Sequence, residues 1–162
     1  METEDLLKGK KILAVDDEQD ILDTLLELLD MCNVDTADSF EKAKELLEKN
    51  YYDIAILDIM GVKGYDLLEI AKNRNIPALM LTAHALTEED LKRSIKEGAS
   101  YFVPKDEIDK IHLFIQDVLE AKDKKRNVWL KWYERLASFW DRRFGERWRE
   151  KDKEFWDSLI KY

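Results

Sequence analysis

Between Lys11 and Glu120, five short apolar runs alternate with five stretches whose apolar residues return at three- and four-residue steps. The runs are Lys11–Val15 (KILAV), Val34–Ala37, Asp53–Leu57 (DIAIL), Pro77–Leu81 (PALML) and Ala99–Val103 (ASYFV). The helical stretches are Asp20–Met31, Phe40–Lys49, Tyr65–Asn73, Glu88–Glu97 and Glu107–Glu120. Strands that are apolar nearly throughout must be covered on both faces, and strands separated by helices return in parallel. The pattern therefore predicts an α/β fold with a doubly wound five-stranded parallel sheet. In such sheets ligands sit beyond the carboxyl ends of the strands, so function is sought there.

Charge divides the chain. Residues 1–120 hold 14 basic and 28 acidic side chains, whereas residues 121–162 hold 13 basic and 8 acidic, and all five tryptophans fall in the second part. A body over residues 1–121 and a helical extension over 122–162 are expected, separated by the polar run AKDKKRN. A body of roughly 100–150 residues buries enough apolar surface to fold without disulfide or zinc. The lone Cys32 forms no internal bridge and reads as a small packed hydrophobe, and His84 and His112 supply no zinc-ligand spacing. A cytoplasmic setting is the simpler expectation. The acidic start METEDLLKGKK lacks an apolar run, so no secretory leader is expected, and no stretch approaches the ~18 apolar residues of a membrane span.

The strand ends carry the chemistry. The first runs into Asp16-Asp17-Glu18, the third into Asp58, the fourth into Thr82 and the fifth into Pro104-Lys105. Clustered carboxylates repel unless a cation or proton neutralises them, and an oxygen-only set suits a hard ion such as Mg²⁺. Charge balance places Asp17 and Asp58 on the metal, with Asp16 holding its water shell or orienting Asp17, and the Met60 backbone carbonyl completing the set. A carboxylate can also attack phosphorus to give an acyl phosphate. Lys105 and the Thr82 hydroxyl would stabilise the phosphoryl oxygens.

The strings KILAVDDE, ILDIM, LTAHA and GASYFVPK, in this order and spacing, make residues 9–120 resemble the receiver domains of two-component response regulators. The resemblance implies that Asp58 accepts a phosphoryl group from a histidine kinase or phosphotransfer protein. It implies also that Asp16 and Asp17 are the acidic Mg²⁺ pair, that Thr82 and Lys105 sense the phosphate, and that Phe102 is the aromatic switch reshaping the face of the fourth helix, fifth strand and fifth helix. Two features depart from the family pattern. The segment from Asp58 to Gly64 is about two residues short and lacks proline, and Lys105 follows a proline rather than preceding one.

The extension carries no such resemblance. At ~100° per residue, Trp129, Tyr133, Leu136, Trp140 and Phe144 share about a third of a helix circumference, with Lys131, Arg135 and Arg142 opposite. Trp148, Phe155, Trp156, Leu159 and Ile160 fall on a different line, so a break is expected at Gly145. Trp132, Trp140, Trp148 and Trp156 recur every eight residues, but eight steps drift ~80° on one helix, so the repeat reads as coincidence. A tail interface of Trp129, Trp132, Tyr133, Leu136, Trp140, Phe144, Trp148 and Trp156 must be covered by something. The options are the chain's own body, a homodimer or partner protein, and a membrane surface, in which protein contact ranks first. Acids such as Glu134, Asp141, Glu150 and Asp157 break up the basic surface and argue against nucleic acid.

The functional expectation is a phosphorylation-dependent signalling switch acting through protein contacts of the body and tail, not an enzyme on external substrates. An unphosphorylated scaffold is the alternative. An aspartyl phosphatase ranks below it, because Met60 stands where such enzymes place a second acid.

Overall fold

Strands β1 (Lys11–Val15), β2 (Asn33–Ala37), β3 (Ile54–Asp58), β4 (Ala78–Thr82) and β5 (Tyr101–Pro104) pair in parallel, in the order β2-β1-β3-β4-β5. This is seen in a computed structural model that describes residues 6–83, 87–125 and 127–160. Because the chain leaves β1 for β2 on one side and returns to β3 on the other, the order reverses between β1 and β3, and a rim crevice opens there. The connecting helices are α1 (Gln19–Leu28), α2 (Phe40–Lys49), α3 (Gly64–Asn73), α4 (Glu88–Lys96) and α5 (Ile111–Lys124). Ser39 opens α2 by accepting from the Lys42 N–H, and Thr87 opens α4 in a reciprocal box with Asp90. Strands β3 and β4 are buried along their whole length.

Several elements differ from the sequence reading; β5 runs over Tyr101–Pro104 rather than Ala99–Val103, and α1 ends at Leu28 rather than Met31. Strands β3 and β4 extend one residue further, so Asp58 and Thr82 are terminal strand residues rather than loop residues. Each stays in the ladder, Asp58 opposite Leu81 and Thr82 opposite Pro104, because a polar side chain at a strand end reaches the rim without leaving the sheet. The helix expected over Glu107–Glu120 is divided into a 3₁₀ turn, Lys105–Lys110, and α5, with Glu107 off helical geometry between them. Helix α5 also runs past the boundary placed at Ala121, ending at Lys124 before Lys125 turns with φ 53°.

The extension folds back onto the body. Helix α6 (Val128–Phe144) is opened by the Asn127 side chain, which accepts from the Trp129 N–H at 2.9 Å, and it closes at Gly145, whose φ of 94° suits a residue without Cβ. A 3₁₀ turn (Trp148–Asp152) leads into α7 (Lys153–Ile160). The apolar core is continuous from Leu7 through the sheet to Trp156. Of the three coverings considered from sequence, the intramolecular one is adopted, and Trp132, Trp140, Trp148 and Trp156 are at most 1% exposed.

The buried stripe of α6 is rotated relative to the expected one. Trp129, Trp132, Leu136 and Trp140 are buried, whereas Tyr133 and Phe144 are half-buried at its margin. Arg135 is not on a solvated back face: its guanidinium makes a two-pronged bond to the buried Asp117 carboxylate on α5. The four tryptophans of the eight-residue repeat meet in one cluster of rings, which Trp129 joins from outside the repeat. Trp132 lies 6.0 Å from Trp140 and 6.3 Å from Trp156, and Trp148 lies 4.8 Å from Trp156, ring centre to ring centre. The drift argument holds along one continuous helix, whereas the reversal after Gly145 brings Trp156 back onto Trp132 and sets Trp148 between Phe144 and Trp156.

Candidate functional site

The register of the sheet sets the site. Val15 lies opposite Leu57, Asp58 opposite Leu81 and Thr82 opposite Pro104, so Asp16, Asp58, Thr82 and Lys105 emerge at one level of the rim. Asp16 is fully buried, Asp58 is 4% exposed and Thr82 is 5% exposed, while Asp17 faces solvent. The Lys105 ammonium lies 2.9 Å from Asp16 Oδ2, 3.2 Å from Asp58 Oδ1 and 3.3 Å from Glu18 Oε1. One cation therefore holds carboxylates from β1 and β3 together. The other oxygen of Asp16 accepts from the Glu18 N–H at 2.9 Å. The Thr82 hydroxyl is turned to the neighbouring Ala83 carbonyl at 3.2 Å rather than to the acids.

Burial and mutual repulsion set the protonation of the site. Desolvation, followed by the charge of Asp16, pushes Asp58 up to about 7 against the pull of Lys105. Burial also raises Asp16, opposed by the Glu18 N–H and by Lys105. Burial works to lower Lys105, but its bonds to Asp16 and Asp58 win and push it up to about 12.

The loop after β3 passes close against the acids. Gly61 adopts φ 81°, and a Cβ there would lie 2.4 Å from Asp17 Oδ2. At Gly64 a Cβ would lie 2.2 Å from the Asp58 carbonyl oxygen. The short loop is thus accommodated by two glycines pressed against the two aspartates. Among the described residues, Asp16, Asp17 and Glu18 each bring one carboxylate oxygen within 4.8 Å of the others. This all-oxygen set on a buried floor fits a small hard divalent cation. Glu18 was not assigned a role from sequence; its signal was only its place in the acidic triplet. Met60 lies in the same loop with its side chain 73% exposed.

The remaining sequence candidates divide. Phe102 is fully buried with its ring centre 5.7 Å from Trp140, and its backbone carbonyl accepts from the Trp132 indole N–H at 2.8 Å. Cys32 donates its thiol to the Leu7 carbonyl, and burial pushes it up to about 11. His112 is half-buried on α5, and His84 lies outside the described residues. No described helix is long and apolar enough to cross a membrane.

The family model for the response regulator receiver domain matches residues 12–116. The chain belongs to that family. The receiver is 33% identical over 127 residues to the two-component response regulator ARR10 of Arabidopsis thaliana, a match covering 74% of this chain and 23% of the relative. It is 39% identical over 99 residues to the heme response regulator HssR of Staphylococcus aureus strain Newman, covering 57% of this chain and 43% of that one. The chain thus spans less than a quarter of the plant regulator's length. Among solved structures, NtrX from Brucella abortus in complex with ADP aligns with a TM-score of 0.65 at 27% identity, over 74% of this chain and 28% of that one. The Francisella response regulator 1452 receiver domain shares the fold, with a TM-score of 0.63 at 22% identity over 70% and 99%. The receiver's match ends at residue 116, so α6 and α7 lie beyond it.

Proposed function

We propose that this receiver is a phosphorylation-dependent switch in which Asp58 takes a phosphoryl group from the phosphohistidine of a histidine kinase or phosphotransfer protein. The Asp58 carboxylate oxygen forms the new bond to phosphorus as the bond from phosphorus to the imidazole nitrogen breaks, and the imidazole leaves with the electron pair. Lys105, already between Asp16 and Asp58, follows the charge onto the phosphoryl oxygens. The Thr82 hydroxyl leaves its bond to the Ala83 carbonyl to donate to the same group, and the vacated space admits the Phe102 ring. Asp16 and Asp17, with Glu18 beside them, Asp58 and the Met60 carbonyl would hold Mg²⁺, which supplies charge neutralisation of the transferring phosphoryl oxygens.

The single observation that supports this reading most is the Lys105 ammonium held within 3.2 Å of both Asp16 and Asp58 at the rim of a receiver sheet. The test is incubation with acetyl phosphate and Mg²⁺, read by intact mass. The chain is expected to gain one phosphoryl group, lost on omission of Mg²⁺ and absent in Asp58→Asn. Equal labelling of Asp58→Asn would remove Asp58 from this role.

A further inference from the structure

We propose that tail docking and the state of Asp58 are coupled through β5, so that phosphorylation of Asp58 releases α6 and α7 from the face formed by α4, β5 and α5. The inference rests on the phosphorylation reading above and deepens it by naming what the switch moves.

The tail occupies that face from end to end. Over β5, the Trp132 indole donates to the Phe102 carbonyl, Trp140 packs on the Phe102 ring, and Trp129 stacks on Tyr101 at 6.4 Å. Over α4, Asp152 pairs with Lys92 at 2.6 Å, and the Phe155 ring lies 5.6 Å and 5.3 Å from the Lys92 and Lys96 ammonium groups. Over α5, Arg135 grips Asp117, which also accepts from the Tyr101 hydroxyl at 2.9 Å. Any partner that uses this face must first displace the tail.

The same strand reaches the site. Lys105 follows Phe102 by three residues, a rise of about 10 Å in extended chain, and its ammonium is fixed by Asp16 and Asp58. A phosphoryl group on Asp58 changes both the charge and the position that Lys105 faces, and so draws on the end of β5. The carbonyl of Phe102 moves with the strand, whereas the Trp132 donor is set in a close-packed cluster of rings. Such interfaces shift between discrete arrangements rather than stretching. The docked arrangement also leaves the buried Trp140 indole N–H without a hydrogen-bond partner among the described residues. Release gives that group water, which biases the response toward undocking.

All five tryptophans lie in the tail, so emission excited selectively from tryptophan reads docking with no signal from the tyrosines of the body. The full chain is titrated with beryllium fluoride and Mg²⁺, and Asp58 is separately labelled with acetyl phosphate. The expected result is a red-shifted emission and stronger acrylamide quenching in both, with no change in Asp58→Asn. Coupling is reciprocal, so Trp132→Phe, which keeps a ring and removes the donor, should bind beryllium fluoride about fivefold more tightly. Asp152→Ala, which loosens the tail from α4, should shift affinity the same way by less. Labelled Asp58 with unchanged emission overturns the inference while leaving the phosphorylation reading intact, as does unchanged affinity in both variants. A chain that takes no label fails the phosphorylation reading first and removes the input on which coupling depends.

Discussion

The rim and the β5 flank are both buried, but they are stabilised in opposite ways. The rim gathers three carboxylates around one ammonium, and desolvation leaves Asp58 reluctant to ionise. The flank gathers eight aromatic rings along α6 and α7 and their neighbours on β5, with ring centres 4.8 to 6.4 Å apart. One region is held by the balance of opposite charges about a single ammonium. The other is held by area, at about 150–250 Å² for each large ring, and resists small changes. They meet at Phe102, whose carbonyl belongs to the flank and whose strand ends at the rim.

This contrast can be broken by experiment. The largest expected effect is at the flank: Trp132→Ala should destabilise the chain by about 4 kcal/mol in urea unfolding, through lost area and a cavity. If the loss is below that of every rim substitution, the tail adds little to the fold. Next, Arg135→Ala leaves the buried Asp117 without its main countercharge and should cost about 3 kcal/mol, with much of it regained in Asp117→Asn/Arg135→Ala.

At the rim the sign reverses. Asp58 sits at about 7 in the folded chain and near the ordinary carboxylate value of about 3.9 when unfolded. Between these values the folded state binds the extra proton, so its stability is full below about pH 4 and falls as pH rises through about 7. Asp58→Asn should therefore be more stable than the parent by about 2 kcal/mol at pH 8, with the difference vanishing near pH 4, measured by thermal unfolding across pH. Added Mg²⁺ should raise the parent's melting temperature at pH 8 and leave Asp58→Asn less affected. The smallest effect belongs to the exposed Lys151–Glu88 pair, where Lys151→Ala should change stability by about 0.3 kcal/mol.

The sequence made the rim legible because its signals are local: each carboxylate follows an apolar run, and the parallel sheet does the rest. Asp16, Asp58, Thr82 and Lys105 were placed by where their strands end. Glu18 was visible in the triplet but had no assigned task, since its bond to Lys105 spans 87 positions in the chain. The flank was legible as helix and apolar stripe, but not as geometry. Which ring joins which depends on the angle taken at Gly145, and a wheel drawn on one helix cannot contain that turn. Trp132 lay off the expected stripe because its place is decided by a carbonyl on β5, and Arg135 by an acid on α5. The split at Glu107 is equally a matter of long-range packing, since nothing in KDEID marks it.

The covered edge of β5 has a consequence for how copies of this chain meet. A parallel sheet with a bare border can recruit a further strand and grow into fibrils. On the β5 side the Phe102 carbonyl is already bonded and a helix stands in the way. On the opposite border, β2 is five residues long and presents exposed Asn33 and Asp35, so repeated addition would stack like charges on one another. Bulk guards one border and charge the other, and the sheet is closed to growth without being a barrel.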